Sequence, residues 1–183
     1  EPTTANVESW NGSSWTETTN LNTAKDYHSD AGTSTSALAF GGEDSGGLSA
    51  KNESWNGSAW TEVGDLNSGR KTAASAGASN TDALIFYGDN VGNGTSTIIT
   101  EQWNGTSWTE VNDLNTSGRL GAGCGTSTVA MVMGRYHPAS AKWDKTEQWN
   151  GTSWTEVNDL ATGRYYTGGS GTQGSGLLAS GQA

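Results

Sequence analysis

The residues of this chain that could do chemistry are few, and their spacing assembles nothing. His28 and His137 are the only histidines, and they fall at non-equivalent places along the chain. A Ser/His/Asp or His/carboxylate site would have to be gathered from scattered positions, with no local motif to mark it. Cys124 is the single cysteine, so it has neither an internal disulfide partner nor fellow thiolates for zinc. Within "GAGCGT" it reads as a small buried residue. A glutamate after Trp-Thr returns four times, as Glu17, Glu62, Glu110 and Glu156. Paired carboxylates can do acid–base work, but fourfold recurrence fits a solvated or ladder-pairing position instead. "GEDSGG" (41–46) and "GDNVGNGT" (88–95) hold oxygen ligands of the kind calcium takes, yet lack the spacing of a known loop. They read as polar turns. There is no HExxH, no CxxC and no phosphate loop before a helix. The expectation is a protein that is not an enzyme and carries no cofactor and no metal.

Composition narrows the partners. The 183 residues carry 9 Lys and Arg against 19 Asp and Glu, a formal charge of −10. Binding to nucleic acid or to an anionic membrane needs clustered cations, and here they are scattered. No apolar run approaches the roughly 20 residues of a membrane span. No signal peptide is visible, and the opening Glu1 fits a processed chain or a domain cut from something longer. Hydrophobic residues make up only 32% of the chain, so an aliphatic core is hard to build; nine Trp compensate.

Those tryptophans are periodic. "ESWNGSSWTETTNL", "ESWNGSAWTEVGDL" and two copies of "EQWNGTSWTEVNDL" begin at Glu8, Glu53, Glu101 and Glu147, and the first Trp of each pair steps by 45, 48 and 46 residues. Periods of 40 to 50 with strand-like content mark propeller blades. Each Asn-Gly is a two-residue hairpin signal of type I′, which needs positive φ at both positions. That turn sets Trp10 against Ser13 and Glu8 against Trp15, making Trp10 and Trp15 diagonal neighbours on one face. Trp55 with Trp60, Trp103 with Trp108, and Trp149 with Trp154 follow the same pattern. These eight Trp read as packing between sheets. The Asn-Gly-Ser/Thr triplets match a glycosylation acceptor in form, but stand where the turns need them.

A polar link follows each hairpin. Its Leu (Leu21, Leu66, Leu114, Leu160) is expected to plug a sheet edge. Its basic residue (Lys25, Arg70, Arg119, Arg164) is expected to stack on an aromatic or bind a carboxylate. A second hairpin then pairs a strand of Ala, Gly and Ser with one carrying the aliphatics, including Leu38, Leu84, Ile85, Val132, Leu177 and Leu178. Small residues in a strand mark close approach of another backbone, as at a propeller axis.

The order of these strands, with "FGG" at 40–42 and "SWTE" at 14–17, resembles kelch repeats across the whole chain. The "WNGTSWTEV" form also resembles kelch-like repeats in predicted virion and tail proteins of marine bacteriophages. The resemblance implies an all-β fold: a β-propeller of four kelch-like four-stranded blades. Because the chain begins and ends on half a repeat, the ring is expected to close by pairing of the N- and C-terminal half-blades, residues 5–20 with 164–182. The repeats run over about 1–24 plus 164–183, 25–69, 70–118 and 119–163, in one domain spanning 1–183. An incomplete ring, a longer array and a solenoid are the alternatives. Kelch-like copper oxidases use Tyr, His and a Cys-modified Tyr, and no such set stands here.

The copies differ most in the connection after the Gly-Gly position. The third, "RYHPASAKWDKT", gathers Arg135, Tyr136, His137, Lys142 and Trp143, and Trp143 is the one Trp outside the repeat pairs. Aromatic faces with polar neighbours suit a sugar ring, so these five are the candidate ligand-binding residues. The competing expectation is that Trp143 packs beneath its own loop or against another subunit. Two functions follow. One is a recognition or adhesion module on a virion or cell surface, extracellular, binding a glycan or surface receptor. The other is a structural or assembly protein of a particle or filament, with virion or self-assembly partners and no soluble ligand.

Overall fold

A computed structural model of the chain describes residues 3–139 and 143–183. Every regular element among them is a strand. The N-terminal hairpin is β1 (Glu8–Trp10) and β2 (Trp15–Glu17). The first four-stranded sheet is β3 (Ser29–Thr33), β4 (Ser36–Phe40), β7 (Asn52–Trp55) and β8 (Trp60–Val63). A small hairpin of β5 (Glu43–Asp44) and β6 (Gly47–Leu48) rises between β4 and β7. The second sheet is β9 (Ala74–Ser79), β10 (Asp82–Phe86), β11 (Thr100–Trp103) and β12 (Trp108–Val111). The third is β13 (Ala122–Gly125), β14 (Ala130–Arg135), β15 (Trp143–Trp149) and β16 (Trp154–Glu156). The chain ends in the hairpin of β17 (Gly168–Thr172) and β18 (Ser175–Ala179). All ladders are antiparallel, and each sheet is a simple meander.

The small-residue strands β3, β9, β13 and β17 together line an axial cavity of about 540 Å³. Ala, Gly and Ser dominate its lining, with Asp30 and Cys124 among them. Gly123 faces the Ser75 carbonyl and the Phe86 ring, and Ser75 Oγ donates to Asp30 O across adjacent sheets at 2.7 Å. The apolar core lies one layer out, where aliphatics of the second strands meet the tryptophans. Phe40 packs edge-on against Trp108 of the next sheet at 4.9 Å, and Phe86 against Trp154 at 5.0 Å. Leu66 and Leu114 are buried at the sheet edges.

The Trp hairpins differ from the expected register. Trp55 lies directly opposite Trp60, and the same holds for the other three pairs. The reason is the asparagine. Asn56 Oδ1 accepts the N–H groups of Ser58 and Ala59 at 2.9 and 3.0 Å, which opens the turn to four residues. Only Gly57 then takes a positive φ, whereas a type I′ turn would require Asn56 to do so as well.

The glutamate that opens each motif proves more important than the one that follows Trp-Thr. Glu53, Glu101 and Glu147 are fully buried, while their cross-strand partners Glu62, Glu110 and Glu156 face solvent. Each buried carboxylate accepts a backbone N–H and a side-chain amide from the link leaving the preceding hairpin. Asn22, Asn67 and Asn115 donate at 2.7, 2.7 and 2.8 Å from N, and at 2.9, 2.8 and 2.8 Å from Nδ2. The same amides donate to the carbonyls of Trp60, Trp108 and Trp154. A cation completes each set: Lys25 on Glu53 at 3.6 Å, Arg70 on Glu101, and Arg135 on Glu147 at 2.7 Å. Burial lowers the pKa of Lys25 and Arg70 while the facing carboxylates raise it.

The terminal hairpins stand as separate two-stranded sheets, and no ladder joins residues 5–20 to 164–182 here. Their large side chains are correspondingly open: Trp10, Trp15 and Leu177 are 48%, 65% and 69% exposed.

Removing one partner of a buried, hydrogen-bonded ion pair leaves an uncompensated charge, at a cost of about 3–5 kcal/mol. Glu101→Ala is therefore expected to lower the unfolding free energy by that amount in urea titrations, while Glu110→Ala, its exposed neighbour, shifts it by less than about 0.5 kcal/mol.

Candidate functional site

One end of the array collects most of the aromatic and cationic side chains outside the repeat. It is the end where the links enter the axial strands and where the variable connections emerge. Four residues at equivalent positions, Tyr27, Thr72, Leu120 and Tyr166, adopt left-handed backbone with φ of 49, 54, 60 and 56°. This conformation is costly for non-glycine residues, most of all a β-branched Thr. It is held by a relay of backbone hydrogen bonds around the axis. Thr72 N donates to Tyr27 O at 3.1 Å, Leu120 N to Thr72 O at 3.0 Å, and Tyr166 N to Leu120 O at 2.6 Å. The turn leaves the Tyr27 and Tyr166 rings 58% and 57% exposed at the axial mouth. Both line two shallow cavities of about 210 and 260 Å³ there.

The residues just before these four are paired in isolated bridges to the strand exits: Asp26 with Glu43, Lys71 with Asp89, Arg119 with Tyr136, and Tyr165 with Gln182. This register corrects the expected place of Arg119. The position of Lys25, Arg70 and Arg164 is taken in the third repeat by Gly118, whose carbonyl accepts Gly88 N just as the Arg70 carbonyl accepts Gly42 N. Without a side chain at Gly118, the Arg135 side chain fills the space and supplies the cation for Glu147. Arg119 is left one place on, at the mouth. Its guanidinium carbon lies 4.7 Å from the centre of the Tyr136 ring. It has no carboxylate within salt-bridge distance among the described residues, and its buried Nε has no hydrogen-bond partner among them. Lys71, by contrast, is bound to Glu43 at 2.5 Å, which raises its pKa.

The five candidate residues of the third connection do not form one open site. Arg135 is fully buried in its bond to Glu147 and drops out as a ligand contact, because the missing side chain at Gly118 draws it inward. Trp143 is half-buried, with the His137 ring stacked on it at 4.0 Å and the Arg135 guanidinium 5.7 Å away. Tyr136 carries Arg119 on its face and meets the Tyr165 ring edge-on at 5.4 Å. Lys142 lies outside the described residues. The acidic loops behave as turns. Asp89 accepts the N–H groups of Val91, Gly92 and Gly94 at 3.2, 2.9 and 2.8 Å, and Asp44 that of Gly46 at 2.8 Å. Cys124 is buried, and burial raises its thiol pKa. No cluster of three metal-ligating side chains occurs among the described residues.

A further cavity, of about 430 Å³, opens at the outer side between the N-terminal hairpin and the first sheet. It is walled by Trp10, Trp15, Trp55 and Trp60. At the next interface the corresponding space is filled by Leu38 and Phe40 of β4, packed with Trp103 and Trp108.

No protein-family model and no curated protein matches the chain. Among solved structures it is similar to the structure of YjhT, with a TM-score of 0.77 at 13% identity, over 97% of this chain and 68% of that one. At that identity the likeness concerns the fold alone, a propeller-like all-β array.

Arg135→Ala separates a structural cation from a ligand contact. It leaves Glu147 buried without a counter-ion, so the expected outcome is a loss of about 3 kcal/mol in urea unfolding. An unchanged midpoint would return Arg135 to the ligand-binding set.

Proposed function

We propose that this chain is a non-enzymatic recognition module that binds a glycan or surface receptor, displayed on a virion or cell surface, as the phage-like repeat resemblance implies. The observation that carries it is the axial mouth. In a chain of net charge −10, Tyr27, Tyr166, Tyr136 and Arg119 are gathered at one end of an otherwise small-residue axis, with His137 and Trp143 on the connection beside them. Exposed aromatic faces beside hydrogen-bond donors are what sugar recognition requires. The test is a glycan array and whole-cell binding assay of the purified chain, with Trp143→Ala in parallel. Saturable, selective binding is expected, weakened in the variant. A well-folded protein that binds neither glycans nor cells would remove the reading.

The architecture proposed with it is a ring of four kelch-like blades, completed when β18 pairs with β1. Three features support this. In the sheets, Ala37, Ala83 and Ala130 face the first Trp of the motif; the same register sets Gly176 opposite Trp10 and Leu178 opposite Glu8. The exposed Leu177 then stands where Leu38 stands in the first sheet, against the four-Trp cleft. Arg164 also holds the conformation of Arg70, with Nε donating to the carbonyl two residues back at 3.3 Å in both. Glu8 is its missing carboxylate. Glu8→Arg and Arg164→Glu are each expected to destabilise the fold, and the double variant to recover about 1–3 kcal/mol of coupling. Neutral single variants would contradict closure.

The second reading, an assembly protein of a particle or filament, is favoured by these same open half-blades, since the hairpin of one copy can complete the other hairpin of the next. Light scattering of the purified chain distinguishes them: a monomer supports closure within the chain, a dimer or polymer supports assembly.

A further inference from the structure

We propose that Arg119 is the anchor of a binding site for a carboxylate-bearing sugar at the axial mouth, with the Tyr27 and Tyr166 rings as the platforms for the sugar itself. This deepens the recognition reading and rests on it.

The argument begins from a departure in the repeat. Elsewhere the link cation serves the buried carboxylate, as Lys25 and Arg70 do. In the third repeat that task has passed to Arg135, and a second cation follows at Arg119. Nothing in the scaffold needs Arg119. Its counterparts are Asp26, Lys71 and Tyr165, so the position tolerates an acid, a base or an aromatic. The neighbouring cation is already engaged: Lys71 pairs with Glu43, while the Asp89 carboxylate, which lines the same cavity, keeps its charge and accepts three backbone N–H groups. Arg119 alone at the mouth has no carboxylate within 4 Å among the described residues. Tyr136 fixes the plane of its guanidinium, and Gly94 packs closely against Nη1, where any side chain would displace it. A planar fork held on an aromatic face suits a planar carboxylate, which it can bind through two parallel N–H···O bonds.

The neighbours select a sugar over a simple anion. Tyr27 and Tyr166 are each more than half exposed, and both line the same cavity. The left-handed backbone shared by all four equivalent positions, tied by the backbone relay, holds both rings at the mouth. The cavity of about 210 Å³ that joins them to Arg119 accommodates a single ring.

The test is calorimetric titration of the full chain with galacturonate, and with galactose as the uncharged control. Galacturonate is expected to bind, galactose at least about tenfold more weakly, and added salt to weaken galacturonate further. Arg119→Gln should lose about tenfold or more in affinity while keeping its melting temperature. Arg119→Lys should recover only part, since it keeps the charge and loses the fork. Tyr166→Ala should weaken both sugars alike. Equal binding of the two sugars, or galacturonate binding unchanged by Arg119→Gln, would overturn the proposal. So would no galacturonate binding at all. If the glycan array is then positive and sensitive to Trp143→Ala, the recognition reading stands and only this site falls. If array and cells are also negative, both fall.

Discussion

The buried carboxylate of each complete four-stranded sheet is the constraint on which the structure depends. Glu53, Glu101 and Glu147 are ionisable groups taken fully out of water in a chain poor in aliphatic residues. Such a group is tolerable only when its lone pairs are filled and its charge is met. Both conditions are satisfied from outside its own sheet, by the Asn and the cation of the incoming link. Arg135, which comes from the same sheet as Glu147, is the exception. Satisfying the carboxylate therefore ties each sheet to its predecessor. The Trp pairs add apolar area to the same interface, and the inner turns add a second tie, with Asn80 and Gln173 amides donating to the Trp55 and Trp149 carbonyls of the preceding sheet. The result is an array whose stability is concentrated between repeats, as expected of architectures built by stacking.

This division of labour explains where function can reside. The locking residues and the Trp hairpins are repeated with little change because each interface makes the same demands. The positions free of those demands lie at the axial mouth and in the connections that rise beside it. The third repeat makes the largest departure there: Gly118 in place of the cation, Arg135 drawn in to replace it, and Arg119 released. One substitution at the interface thus changes what the mouth presents to solvent. The left-handed residues at the head of each axial strand hold that presentation rigid through a hydrogen-bonded relay rather than through side-chain packing.

Much of the fold was legible in the sequence, because its signals are local or periodic. The Trp spacing, the Asn-Gly turns and the contrast between Ala/Gly/Ser strands and aliphatic strands lead directly to four-stranded meanders around a common axis. What escaped was set by geometry the letters do not carry. The turn register depended on Asn56 Oδ1 capturing two backbone N–H groups, which turned diagonal Trp neighbours into facing ones. The first Glu of the motif looked no different from the second, although they are direct cross-strand partners: the first, on the inner strand, meets the incoming link, and the second, on the outermost strand, meets solvent. Arg119 was aligned with Arg70 by its likeness as a cation, whereas the backbone count from Leu114 places Gly118 there. That count, four residues after each link Leu, was the signal available. The candidate site shifted for the same reason. The third connection was singled out by composition, but Arg135 serves the interface, and His137 and Trp143 pack on each other.

The most direct test of the division between a repeated scaffold and a variable mouth is hydrogen exchange followed by mass spectrometry, with and without saturating galacturonate. Slower exchange in the peptides covering 26–28, 71–73, 119–121 and 165–167, with the Trp hairpins unchanged, is the predicted result. Slowing confined to the connection 135–143, or spread over the Trp hairpins, would contradict the account and place recognition elsewhere on the molecule.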